Sequence, residues 1–249
     1  MNYLKILAEL ESKTEDKQEL SYFWTHEVRY KEILKKIQEI SGGKKLKILD
    51  VGCYPYHIGF ALEKMGHDVY GIASKHEKVN KNKVEILNIE KDKLPFLDNF
   101  FDLVLFNEII EHLPNSPLSA LSEIYRVTKK GGEVIITTPN IARSINRVKL
   151  LTGKNIMYPI SVFFEENGFG NNIYHRHNRE YVLEEVIVIL KSISWEIAKS
   201  EQFISYTPFR KRLKADSLLM KTGKIINHFI MLLFPNLRDT IFVVAKKLG

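Results

Sequence analysis

Cysteine is almost missing from this 249-residue chain; Cys53 is the only one. That excludes an intramolecular disulfide and a cysteine-based zinc cluster. A reducing compartment is the natural setting. No apolar run approaches the ~20 residues that span a bilayer. The longest, IINHFIMLLF at 225–234, is too short and contains His228. The first twenty residues place apolar side chains at helical spacing among acids and lysines, without the apolar core of a signal peptide. The expected location is therefore cytoplasmic. Repeats and low-complexity tracts are missing too. Most of the chain also lacks any excess of charge. Residues 206–249 hold nine Lys/Arg against two Asp/Glu, which alone matches the net charge of +7.

What is present is apolar residue in quantity. At 45% hydrophobic, the chain can build a sizeable core, and its length suits one large α/β domain with insertions. Residues 26–40 read as an amphipathic helix ended by Ser41-Gly42-Gly43. LKILDV (46–51) is an apolar, β-rich run followed at once by a turn. Helical periodicity returns over 57–66. HDVYGIA (67–73), VEILNI (84–89) and FDLVLFN (101–107) read as strands two to four. Pro117 to Lys130 reads as a helix closing on Gly131-Gly132, and EVIITTP (133–139) as strand five.

Strands alternating with helices at this spacing predict βαβ units and a parallel sheet. The rhythm breaks over 141–180, which is irregular and rich in Asn, Gly, His and aromatics. A helix at 181–191, a strand at 194–204, a basic apolar helical insertion at 207–236 and a last, antiparallel strand at 240–247 complete the order. The expected organisation is a single domain over 1–249. It comprises N-terminal helices (1–43), a cofactor-binding core (44–140), a lid or substrate insertion (141–180) and a C-terminal part (181–249).

The turn after the first strand reads Ile48-Leu49-Asp50-Val51-Gly52-Cys53-Tyr54-Pro55-Tyr56. A glycine between strand and helix lets the backbone approach a ligand closely. Alone, Asp-x-Gly also fits a merely tight connection. In series, ILDVGC, VYGIAS, LPFLDNFFDLVLFNEIIEHL and EIYRVTKKGGEVIITTPN resemble the class I S-adenosylmethionine-dependent methyltransferases, strongly over about residues 40–140. The resemblance implies an α/β fold with a Rossmann-like, seven-stranded, mostly parallel sheet and helices on both faces. It implies S-adenosyl-L-methionine as cofactor, held by Asp50, Gly52, Cys53, Tyr54, Ser74, Asn88, Ile89 and Asn107. The family's loop usually reads Asp-x-Gly-x-Gly-x-Gly, whereas Tyr54 and Tyr56 stand at the second and third glycines here. Ala73 stands where the ribose acid is usual, with Ser74 or Glu77 as substitutes, and Asn88 replaces the usual Asp.

An oxygen nucleophile needs a base nearby. A histidine titrates near neutrality, so His112 is the first candidate, with Glu108 and His177 behind it. Glu108-x-x-Glu111-His112 also resembles the metal-assisted O-methyltransferases of ubiquinone biosynthesis and small-RNA end methylation, with His175 or His177 as a later ligand. Many relatives carry the same spacing without metal, so none is expected; Glu108, Glu111 and His112 are the ligands if one binds. His175, Arg176, His177 and Arg179 suit substrate or lid contacts, or a solvated loop.

Basic residues mixed with large apolar ones in 207–236 suit peripheral contact with an anionic membrane. A buried helical insertion or a dimer contact fits the same composition. The apolar content outweighs what a nucleic-acid groove would use, so nucleic acid is not the expected partner. The acceptor implied is a small molecule, a glycan or a lipid-linked intermediate. A non-catalytic binding protein on the same fold, or an RNA methyltransferase, are the competing readings.

Overall fold

The computed structural model describes residues 2–74, 83–157, 160, 176–205 and 218–249, with side chains from 222 onward in the last stretch. Two helices come first, α1 (Tyr3–Lys13) and α2 (Lys17–Ser41). Asp16 caps α2, its Oδ1 accepting from the backbone N–H of Gln18 at 2.8 Å and of Glu19 at 2.9 Å. Gly42, in the left-handed region at φ 53°, ends it. The helix starts well before the predicted residue 26, at the side-chain cap of Asp16, and its first turns already place Phe23 and Trp24 on the core.

Seven strands form one sheet: β1 (Lys47–Val51), β2 (Asp68–Ala73), β3 (Val84–Ile86), β4 (Phe101–Asn107), β5 (Thr128–Pro139), β6 (Trp195–Phe203) and β7 (Thr240–Lys247). Their order is β3-β2-β1-β4-β5-β7-β6, with β7 antiparallel to both neighbours and the other pairs parallel. Helices α3 (His57–Lys64), α4 (Leu118–Val127), α5 (Ser144–Leu151), α6 (Leu183–Ser192) and α7 (Leu218–Leu233) are the remaining described α-helices.

The period-2 pattern of the strands sorts side chains onto two cores. Ile48, Leu103, Leu105, Ile135 and Val244 point to one face, where they meet Phe23, Ile33, Leu34 and Ile37 of α2 and Ala61 and Leu62 of α3. Leu49, Val104, Phe106, Val134 and Val243 point to the other, against Leu121 and Ile124 of α4 and Val186 and Leu190 of α6. Each fully buried Leu, Ile or Phe contributes about 1.5–3 kcal/mol, so both helical layers are held by the sheet's own alternation.

Two predicted boundaries shift. The third strand stops at Ile86 rather than Ile89, because Asn88 starts a turn: its Oδ1 accepts from Glu90 N–H at 3.0 Å and its N–H donates to Asp92 Oδ2 at 2.7 Å. Helix α4 ends at Val127 rather than Lys130. Thr128 already pairs with Phe101, and Gly131, at φ 76°, lies within β5 where the register shifts. The region expected to be irregular after strand five contains α5, whereas residues 158–159 and 161–175, His175 among them, lie outside the described residues, as do Glu77 and residues 206–217. No described helix is long and apolar enough to cross a membrane.

Candidate active site

The chain reverses its direction of travel across the sheet between β1 and β4, and that is where open α/β sheets leave a crevice at the carboxyl ends of their strands. A cleft of about 970 Å³ lies there, within the range for small-molecule sites. Its wall takes Gly52 and Tyr54 from the turn after β1, Ala73 and Ser74 from the end of β2, Asn88 and Ile89 after β3, and Asn107, Glu108 and His112 after β4. Eight predicted site residues are thus brought together: Gly52, Tyr54, Ser74, Asn88, Ile89, Asn107, Glu108 and His112. Asp50, Cys53 and His177 do not line it.

The turn after β1 is built by close packing. Gly52 sits at φ 77°, and a Cβ there would fall 2.1 Å from Ile109 Cδ1. The N–H groups of Gly52 and Cys53 both donate to Ile72 O, at 2.8 and 3.0 Å. Cys53 turns inward onto the bare Cα of Gly71, where a Cβ would meet its Sγ at 2.7 Å. Tyr56 leans away from the cleft over α3. Its ring occupies the space a Cβ on Gly59 would need, and its hydroxyl donates to Glu63 Oε1 at 3.0 Å. The aromatic at the family's third-glycine position therefore does not fill the cofactor space. Asp50 is buried behind the turn, with no cation among the described residues paired to it, and burial pushes its carboxyl up to about 7.

Past β4, Glu108 adopts the left-handed φ of 55°. Its Oε2 lies 2.7 Å from Nη1 of Arg29, a cation of α2 that is only 6% exposed. Among the described residues, Glu108 Oε1 has no hydrogen-bond partner, nor has either amide atom of Asn107. Buried groups left this way are rare, because each costs a few kcal/mol. Glu111 is fully buried and accepts from the Thr138 hydroxyl at 2.9 Å. Burial, and then the neighbouring Glu108, hold its carboxyl well above the usual carboxylate range. His112 donates through Nδ1 to Arg176 O at 3.1 Å, a carbonyl being able only to accept, which makes Nε2 the acceptor nitrogen of the neutral ring.

His177 lies behind His112, edge-on at 4.8 Å between ring centroids, with its Nδ1 2.9 Å from Glu180 Oε1. Arg143 grips the same Glu180 through two hydrogen bonds. Asn178 donates to His112 O at 2.7 Å, so the segment 176–180 clasps the turn that presents His112. Glu111, His112 and His177 each offer a ligand atom within 4.8 Å of one another, a set that could hold a metal ion. Of the candidate ligands, Glu111, His112 and the later His177 lie together, whereas Glu108 turns to Arg29.

No sequence pattern pointed to Arg29. Nor did any single out Asp16, Gln18, Glu19 and Tyr22, which bring the first turns of α2 to the cleft wall. Their signal was only the amphipathic spacing of a helix.

Residues 49–136 match the model of the methyltransferase domain family. An uncharacterized methyltransferase of Schizosaccharomyces pombe is 38% identical over 106 residues, covering 35% of this chain and 38% of that one. A ubiquinone biosynthesis O-methyltransferase of Rhizobium etli is 25% identical over 121 residues, 45% of this chain and 48% of that one. The chain thus spans less than half the length of either relative. A crystal structure of a SAM-dependent methyltransferase from Archaeoglobus fulgidus aligns with a TM-score of 0.59 at 18% identity, covering 93% of this chain and all of that one. Residues 49–136 thus match a methyltransferase domain, and the described chain has the fold of the Archaeoglobus fulgidus SAM-dependent methyltransferase.

Proposed function

We propose that the protein transfers a methyl group from S-adenosyl-L-methionine to an oxygen of a small molecule, a glycan or a lipid-linked intermediate. The observation that carries this reading is the set of unpartnered polar atoms on Asn107 and Glu108 in the cleft wall, at the carboxyl end of β4. A ligand in the cleft that pairs them recovers the cost of their burial. The ubiquinone O-methyltransferase among the relatives supports oxygen as the acceptor atom.

Gly52, Tyr54, Ser74, Asn88, Ile89 and Asn107 would hold the cofactor, with Asp50 and Cys53 supporting the turn from behind. When bound, it supplies a methyl group already activated on a sulfonium, so alignment is the protein's main task. Nε2 of His112 takes the proton of the acceptor hydroxyl. Glu108, fixed by Arg29, accepts a hydrogen bond through Oε1 and orients the acceptor. His177 and Glu180 steady His112 from behind.

Calorimetry with S-adenosyl-L-methionine and its demethylated product tests the first step; no binding at millimolar ligand overturns the reading. His112→Gln should then leave donor affinity within two-fold and lower turnover of a hydroxylated acceptor by about 10²–10⁴. Methyl label found only on amine acceptors would remove oxygen as the target.

A further inference from the structure

Helices α5 and α7 carry their apolar side chains outward. On α7, Ile226, Phe229, Ile230 and Leu233 recur at i, i+3, i+4 and i+7, which is one helix face, and they are 55, 57, 37 and 74% exposed. On α5, Ile145 and Val148 follow the same spacing at 48 and 54% exposed. In a surface helix that stripe normally faces the core. The opposite sides of these helices face inward instead: Met231 is buried, and the Ser144 hydroxyl donates to Asn227 Oδ1 at 2.6 Å, tying the two helices together. Exposed apolar residues are common singly, but a stripe along two adjoining helices marks an interaction surface.

The described charge beside the stripe is basic: Arg147, Lys149 and Lys154 are exposed on or just after α5, and residues 141–157 contain no acid. Arg147 and Lys149 stand on α5 itself. Apolar insertion combined with cationic attraction is the chemistry of an anionic lipid surface.

The placement gives the surface a use. Strand β5 runs parallel to β4 and ends at Pro139, shortly before α5. Strand β7 runs the other way, and its first residue, Thr240, pairs with Pro139 shortly after α7 ends. Both helices therefore sit at the carboxyl-end edge of the sheet, the same edge onto which the cleft opens. The geometry points to α5 and α7 as a docking face that seats the protein on anionic lipid bilayers, with the cleft directed at acceptors in or near the membrane. The inference deepens the reading of a lipid-linked acceptor, but docking itself does not depend on catalysis.

Flotation with vesicles of phosphatidylglycerol and phosphatidylcholine tests it, against vesicles of phosphatidylcholine alone. The intact chain should float with the anionic vesicles at least ten-fold more than with the neutral ones, and less as salt rises. Phe229→Ser with Leu233→Ser should lower that partition at least ten-fold, and Arg147→Glu with Lys149→Glu should do the same by a second route. Both variants should keep the parent's melting temperature and its calorimetric affinity for S-adenosyl-L-methionine. Absence of flotation, or flotation indifferent to both pairs, overturns the inference. So does light scattering that shows a dimer dissociated by the serine pair, which would assign the face to a second copy. Docking without donor binding would support this face while removing the methyl-transfer reading, so the two fail separately.

Discussion

At the scale of single residues, Asp50 in β1 and Gly52 in the turn after it set the backbone beneath the cleft. Asp50 titrates at about 7 because burial penalises its charge. Its carboxyl is raised above the ordinary 3.8, so the folded state binds its proton more tightly than the unfolded chain does. Stability from this group is complete below about pH 4 and is lost as pH rises to about 7, a difference of roughly 4 kcal/mol. Asp50→Asn should therefore flatten the dependence of the urea midpoint on pH between 4 and 7 and raise the midpoint at pH 8. An unchanged pH profile would show that Asp50 is paired by a group other than those described. Gly52 combines a φ of 77° with a Cβ position 2.1 Å from Ile109 Cδ1. Gly52→Ala should cost about 1–3 kcal/mol in a urea melt and weaken calorimetric donor binding by ten-fold or more. Asp50 and Gly52 were legible in the sequence because a strand followed by Asp-x-Gly sets their role locally. The path of Tyr56 over α3 was not, because it depends on the bare Cα of Gly59 three residues later.

At the scale of elements, the sequence pattern carried the strands further than the helices. Strands β4 and β7 fall where their apolar runs put them, since a buried strand needs only a short apolar stretch with turns beside it. The start of α2 was hidden, because its opening turns divide between the core, through Phe23 and Trp24, and the cleft, through Gln18, Glu19 and Tyr22. The same hidden turns bring Tyr22 to the site and lead to Arg29, which fixes Glu108. Removing one member of a buried ion pair strands the other, at a cost of about 3–5 kcal/mol. Arg29→Ala should show a loss of that order in a urea melt, and Arg29→Ala with Glu108→Gln should recover part of it. A double variant as unstable as the sum of the singles would mean that the two side chains act independently. Glu108→Gln alone should leave donor affinity largely intact while slowing methyl transfer, which separates orientation of the acceptor from binding of the cofactor.

At the scale of the whole molecule, one sheet is covered by helices from distant parts of the sequence, and the N-terminal pair has two roles. Phe23, Ile33, Leu34 and Ile37 of α2 and Ile6 and Leu7 of α1 fill the core on one face of the sheet, while Asp16, Gln18, Glu19 and Tyr22 wall the cleft. Six such side chains contribute on the order of 10 kcal/mol of apolar burial at about 1.5–3 kcal/mol each, comparable with the entire stability of a typical domain. Cutting the chain after Gly43 would expose Ile48, Leu103, Leu105 and Ile135 to water together. The truncated chain should therefore lose its cooperative melt and its donor binding at the same step, as read by circular dichroism and calorimetry. A truncated chain that still melts cooperatively but binds no donor would make α1 and α2 a cap over an independently stable sheet. The ion pair of Arg29 and Glu108 would then be the link that couples cap to site, and adding back a peptide of residues 1–43 should restore binding only if it carries Arg29.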